Sequence, residues 1–143
     1  MESELKFDGY YFCFKKEENI LDSCNSVMRF YKDGKKVISV PVALQNYDKT
    51  NKIESYTLNQ FFPKDTWFNE SYEDNGTYEI TGNHIKFKCD FVLYDGTISG
   101  NNLELFWHSN YNGKEGNETY KFISFDELNS QKINLLQYFA ANN

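Results

Sequence analysis

Metal and acid–base chemistry have little to draw on in this chain, which carries two histidines and three cysteines in 143 residues. None of them stands at a spacing typical of zinc ligands, and Cys13, Cys24 and Cys89 cannot all pair within one chain, so reduced thiols are expected. Basic residues are also short, 15 Lys and Arg against 21 Asp and Glu, and a net charge of −6 argues against a phosphate backbone as the principal partner. Nucleic acid is therefore not an expected partner, nor is a membrane, because no apolar run approaches the length that crosses a bilayer. The residues Met1 to Lys6 show neither a basic start followed by an apolar run nor a cleavage pattern, so nothing marks the chain for export and the cytoplasm is the expected location. The Asn-x-Ser/Thr triplets at Asn69, Asn75 and Asn117 then read as chance matches in an Asn-rich sequence.

Aromatic residues, by contrast, make up 18% of the chain, 13 of them Phe and 11 Tyr, beside only 2 Pro. That balance favours broad pleated surfaces over helical packing. The length suits one domain, residues 1–143, able to bury a core without disulfides or metals. Gly76–Lys88 spells a β-hairpin: two alternating runs joined at Gly82-Asn83, which sets Ile80 opposite Ile85, Tyr78 opposite Phe87 and Glu79 opposite Lys86. Because side chains alternate with period two, only this register gathers the four apolar groups on one face. Leu93 to Ser99 and Asn102 to His108 repeat the device across Gly100-Asn101, pairing Ile98 with Leu103, Gly96 with Leu105 and Tyr94 with Trp107. Ser26 to Lys32 meets Lys36 to Val42 across Asp33-Gly34, with Phe30 opposite Val37 and Met28 opposite Ser39. Gly9 to Phe14 is apolar on both faces, which suits a strand covered on both sides. A last strand, Glu118 to Ile123, alternates Tyr120 and Phe122 with Thr119 and Lys121.

Two segments break the rhythm. Residues 44–74 form a long excursion containing Phe61, Phe62, Trp67 and Phe68, expected to be a short helix or lid packed on one end of the β-structure. At Ser124 the period changes to about 3.6. Ser124 with Glu127 has the form of a capping box and Ile123 with Leu128 that of a hydrophobic staple, opening a C-terminal helix over about 125–140; Asn129-Ser130 is an equally good later cap.

Consecutive hairpins, aromatic on one face and closed at one end, describe an all-β, antiparallel up-and-down barrel of about eight to ten strands. Gly9-Tyr10-Tyr11, Met28 to Gly34, Trp67-Phe68, Gly76 to Asn83, Gly96-Thr97-Ile98 and Ser109 to Gly113 together resemble small lipocalin-like barrel proteins over roughly residues 9–125. The chain departs from the true lipocalins in lacking a secretory start, a disulfide pattern and their Gly-x-Trp signature, since Tyr11 stands where Trp would. The resemblance implies a calycin-type barrel that carries apolar small molecules, with no catalytic residue to transfer.

No residue set reaches a catalytic signature, and neither a metal nor a cofactor is expected. His84 flanks a turn and belongs outside; His108 and Ser109 are strand neighbours that point to opposite faces, so they are not a nucleophile and its base. Cys89 shares the apolar face of Ile85 and Phe87 and reads as a buried, inert thiol. The candidate ligand-binding residues are the inward rings of Tyr78, Phe87, Tyr94, Trp107 and Tyr120, with Phe122, Phe12 and Phe30 joining if the barrel closes. These rings either line a cavity or fill the barrel; the tyrosine hydroxyls, which need partners, and Gly96, which leaves room opposite Leu105, lean toward a cavity. Arg29 falls on the other face and meets a ligand carboxylate only if that face turns inward. The expected function is a non-enzymatic binder of a small apolar or amphipathic ligand. The alternative is an acidic protein-interaction module, an inhibitor or immunity-type protein using its outer surface.

Overall fold

A computed structural model describes residues 5–13, 26–41, 75–89 and 91–128. Its strands are β1 (Gly9–Cys13), β2 (Ser26–Tyr31), β3 (Lys36–Pro41), β4 (Asn75–Thr81), β5 (His84–Cys89), β6 (Val92–Ser99), β7 (Asn102–Ser109) and β8 (Glu115–Ser124), followed by a short helix, α1 (Phe125–Leu128). Each strand is antiparallel to its neighbour in sequence, and β8 returns to pair with β1, which closes the barrel in up-and-down order. Eight strands is the lower limit of the expected range, and the closure gives each described strand a hydrogen-bonded neighbour on both sides.

The hairpin registers are those the alternation dictates. Ile80 faces Ile85 and Tyr78 faces Phe87; Tyr94 faces Trp107 and Ile98 faces Leu103; Phe30 faces Val37. Gly82 and Gly100 each open a two-residue loop with positive φ, 63° and 61°, the conformation a hairpin twist demands and a side chain resists. Between β2 and β3 the connection is a 3-10 turn over Asp33–Lys35, and it keeps the register expected of a two-residue loop.

The interior holds one apolar cluster to which Tyr11, Met28, Phe30, Val37, Ile85, Phe87, Leu103 and Phe122 all contribute. Residues Leu5 to Asp8 lie at the end of the barrel that carries the hairpin loops. Leu5 joins the cluster, the Lys6 amide donates to the Tyr11 hydroxyl at 3.0 Å, and Lys6 Nζ reaches Asn101 Oδ1 at 2.5 Å. This amino-terminal segment therefore stoppers the loop end. The aromatic excursion expected to be a lid, within 44–74, lies outside the described residues, as does the part of the expected C-terminal helix after Leu128.

The wall is asymmetric. On β4 to β7 the outward residues are mostly exposed, whereas on β1 to β3 Tyr10, Phe12, Val27 and Ile38 point outward and are nonetheless buried. Phe12 was expected among the inward rings, but Tyr11 and Cys13 take the interior and alternation sends Phe12 outside, where its ring meets Tyr10 edge-on at 6.0 Å. Helix α1 lies on this outer wall: Phe125 packs edge-on against Tyr10 at 5.2 Å, and the Arg29 guanidinium sits over the rings of Tyr31 and Phe125 at 4.7 and 4.8 Å. Its start is the expected capping box, with the Glu127 amide donating to Ser124 Oγ at 3.3 Å and the Ser124 amide to Glu127 Oε1 at 3.4 Å.

Candidate functional site

Alternation along β6, β7 and β8 turns Tyr94, Trp107, Glu118 and Tyr120 into the barrel, and β1 and β2 add Cys13 and Ser26 at the end opposite the hairpin loops. The five ring residues expected inside are all there, but the structure divides them into two groups with different chemistry.

Tyr78 and Phe87 belong to the filled half. Phe30 meets Tyr11, Tyr78 and Phe87 edge-on at 5.5, 5.5 and 5.4 Å, so its ring is the hub of a T-shaped cluster. The Tyr78 hydroxyl donates to the Tyr31 carbonyl at 2.9 Å, which satisfies its polar tip within the wall, and burial pushes its pKa up. Phe87 then passes the stack on to Tyr94, whose ring lies nearly parallel to it at 4.7 Å.

Tyr94, Trp107 and Tyr120 belong to the other half, where polar atoms gather. The Tyr120 hydroxyl and Ser26 Oγ share a hydrogen bond of 2.5 Å, and the Cys13 thiol stands 3.7 Å from Glu118 Oε2. Burial, then the neighbouring Tyr94 and Cys13, hold the Tyr120 phenol well above its ordinary value against the opposing pull of Ser26, so it remains a protonated donor. Glu118 is 7% exposed. It was not among the expected site residues, although its parity with Tyr120 and Phe122 on one strand was the available signal. Trp107 lies over Gly116, where an added Cβ would come within 3.1 Å of the indole nitrogen, and that buried nitrogen has no hydrogen-bond partner.

Gly96 makes no room in the interior. A Cβ there would fall 2.0 Å from the Glu104 carbonyl oxygen, so this glycine serves a close approach of the β6 and β7 backbones. Arg29 stays on the outer wall and takes no part in the interior. The histidines are outside as well: His84 pairs with Asp95 at 2.6 Å and His108 with Glu115 at 3.5 Å. Cys89 is buried, its thiol directed at the Val37 carbonyl at 3.8 Å.

The outer wall of β4 to β6 carries an open depression of about 290 Å³ lined by Thr77, Glu79, Lys86, Leu93 and Asp95 with the Phe87–Tyr94 pair. Beside it Phe91, Leu93, Phe106 and Tyr111 are exposed apolar side chains. Among the described residues no group of His, Cys, Asp and Glu is placed to hold a metal ion, and no helix is long and apolar enough to cross a membrane. Compared with models of protein families, with curated proteins and with solved structures, the chain matches none.

Proposed function

We propose that this protein is a lipocalin-like, calycin-type carrier that binds a small apolar or amphipathic molecule in the polar half of its barrel and performs no chemistry on it. The observation that carries this reading is the division of the interior. A barrel that needed only to be filled gains nothing from a buried indole N–H without an acceptor, which costs free energy in an apolar setting. A ligand stacked on Tyr94 and Trp107 supplies contact area, and the hydroxyl of Tyr120 and the carboxyl of Glu118 supply orientation.

Titration with the neutral dye N-phenyl-1-naphthylamine tests it. Saturable enhancement of emission at one dye per chain, weakened about tenfold or more by Trp107→Ala and unaffected by the outer-wall control Phe106→Ala, is expected. Absence of saturable binding removes the carrier reading.

The exposed apolar strip favours a second reading, an acidic interaction module that docks a protein partner on β6 and β7. Phe91, Leu93, Phe106 and Tyr111 beside the Glu79–Lys86–Asp95 row offer an apolar centre with a charged rim. A basic partner that is retained by the wild type and lost with Phe106→Asp distinguishes it from the carrier.

A further inference from the structure

Phe91, Leu93, Phe106 and Tyr111 are 39–81% exposed and form one continuous strip on the outer wall. Leu93 and Phe106 are diagonal neighbours on β6 and β7, Phe91 lies in the turn before Leu93, and the Tyr111 ring stands 6.1 Å from that of Phe91. The turns at the end of the strip are tied together: the Asn110 amide donates to the Phe91 carbonyl at 2.7 Å and the Gly113 amide to the Ser109 carbonyl at 2.8 Å. The rings are therefore presented in place, and covering them costs little ordering entropy. At about 200 Å² for a fully accessible side chain of this size, the strip exposes roughly 400 Å², the scale at which a surface patch marks a contact. A stable dimer hides about 800 Å² on each copy, a little over half of it apolar, so the strip is large enough to form the apolar centre of one.

We propose that this wall is where a second copy of the chain docks, about a twofold axis along the Leu93–Phe106 diagonal. The charges beside the strip complement themselves in that arrangement. Lys86, Asp95 and Phe106 stand in one row across β5, β6 and β7, and Leu93, His108 and Glu115 in the next row across β6, β7 and β8. With strands about 4.8 Å apart and same-face neighbours about 7 Å apart, the axis lays Leu93 and Phe106 on their own counterparts, Lys86 of each copy over Glu115 of the other, and Asp95 over His108. Lys86 has no ion-pair partner among the described residues, and Glu115, 3.5 Å from His108, keeps its side chain 56% exposed. A basic partner, the kind a net charge of −6 attracts, is met on the same wall by Lys86 and Lys88. The contact is independent of the carrier reading, because no interior residue takes part in it.

Sedimentation equilibrium of the full-length protein from about 1 to 500 µM tests it, and a reversible dimer dissociating in the micromolar range is expected. Phe106→Asp is expected to weaken the dimer at least about tenfold. Lys86→Glu and Glu115→Lys singly set like charges against each other twice per dimer and are expected to weaken it about tenfold, whereas the double variant returns to within about threefold of the wild type. About 0.5 M NaCl is expected to leave the dimer in place, because its centre is apolar and salt screens the repulsion between two acidic chains. A dimer indifferent to Phe106→Asp, charge reversals that add instead of cancelling, or a dimer lost in salt overturns the proposal. Monomer mass at every concentration overturns it too and leaves the wall to an unlike partner. Binding of the neutral dye is expected to be the same in Phe106→Asp and the wild type, which separates failure of the dimer from failure of the carrier reading.

Discussion

The Cys13 thiol stands 3.7 Å from Glu118 Oε2, in the barrel interior and 105 residues away along the chain. Its position out of solvent, 3% exposed, keeps a reagent from reaching it, so it is not expected to behave as a reactive thiol. Cys89 is equally enclosed, so a thiol-specific reagent under native conditions is expected to modify at most one of the three cysteines, and all three once the chain is unfolded in guanidinium. Rapid native labelling of Cys13, located by peptide mapping, contradicts the interior placement.

Phe30 is 1% exposed and joins the rings of Tyr11, Tyr78 and Phe87. Phe30→Ala removes the hub and leaves a cavity that rigid strands close poorly, at a cost of about 3–5 kcal/mol in urea unfolding. Phe106→Ala, on the exposed wall, is expected to cost under about 0.5 kcal/mol.

Two glycines separate backbone conformation from backbone proximity. Gly82→Ala meets open space but positive φ, so a loss of about 1–2 kcal/mol is expected. Gly96→Ala places a methyl 2.0 Å from the Glu104 carbonyl oxygen and has to part β6 from β7, so its loss is expected to exceed that of Gly82→Ala by about 1 kcal/mol or more in thermal unfolding. The reverse order argues that the two strands are not so closely apposed.

Alkaline stability follows from the buried phenols. Burial pushes Tyr11 from 10.0 to about 12 despite the Lys6 amide hydrogen bond, and burial likewise holds Tyr120 well above its ordinary value. Between the unfolded value and the folded one the native state holds the proton and the unfolded chain has lost it, so stability is full below pH 10 and falls as pH rises toward 12. The Tyr11 contribution to that fall is about 2–3 kcal/mol. Tyr11→Phe is expected to flatten the decline in urea midpoint between pH 9.5 and 11, and an unchanged slope counts against the assignment.

Much of the fold was legible because hairpins are local. Gly82-Asn83 and Gly100-Asn101 fix two registers through loop geometry, and period-two alternation then chooses the face of Tyr78, Phe87, Tyr94 and Trp107 without reference to the rest of the chain. The capping box at Ser124 was readable for the same reason. Phe12 and Gly96 were not. An apolar strand covered on both faces has no polar side to mark its outside, and the role of a glycine depends on how closely a neighbouring backbone approaches, which composition does not record.

From its residues alone the chain determined the hairpins β2–β3, β4–β5 and β6–β7 and which of their side chains share a face, since both are settled within a turn and two short runs. Tertiary structure decided the rest: the β8–β1 seam, the stopper at Leu5 to Asp8, and the meeting of Cys13, Ser26, Tyr94, Glu118 and Tyr120. Those residues come from four strands, and only the closing of the sheet into a cylinder brings their side chains into one volume.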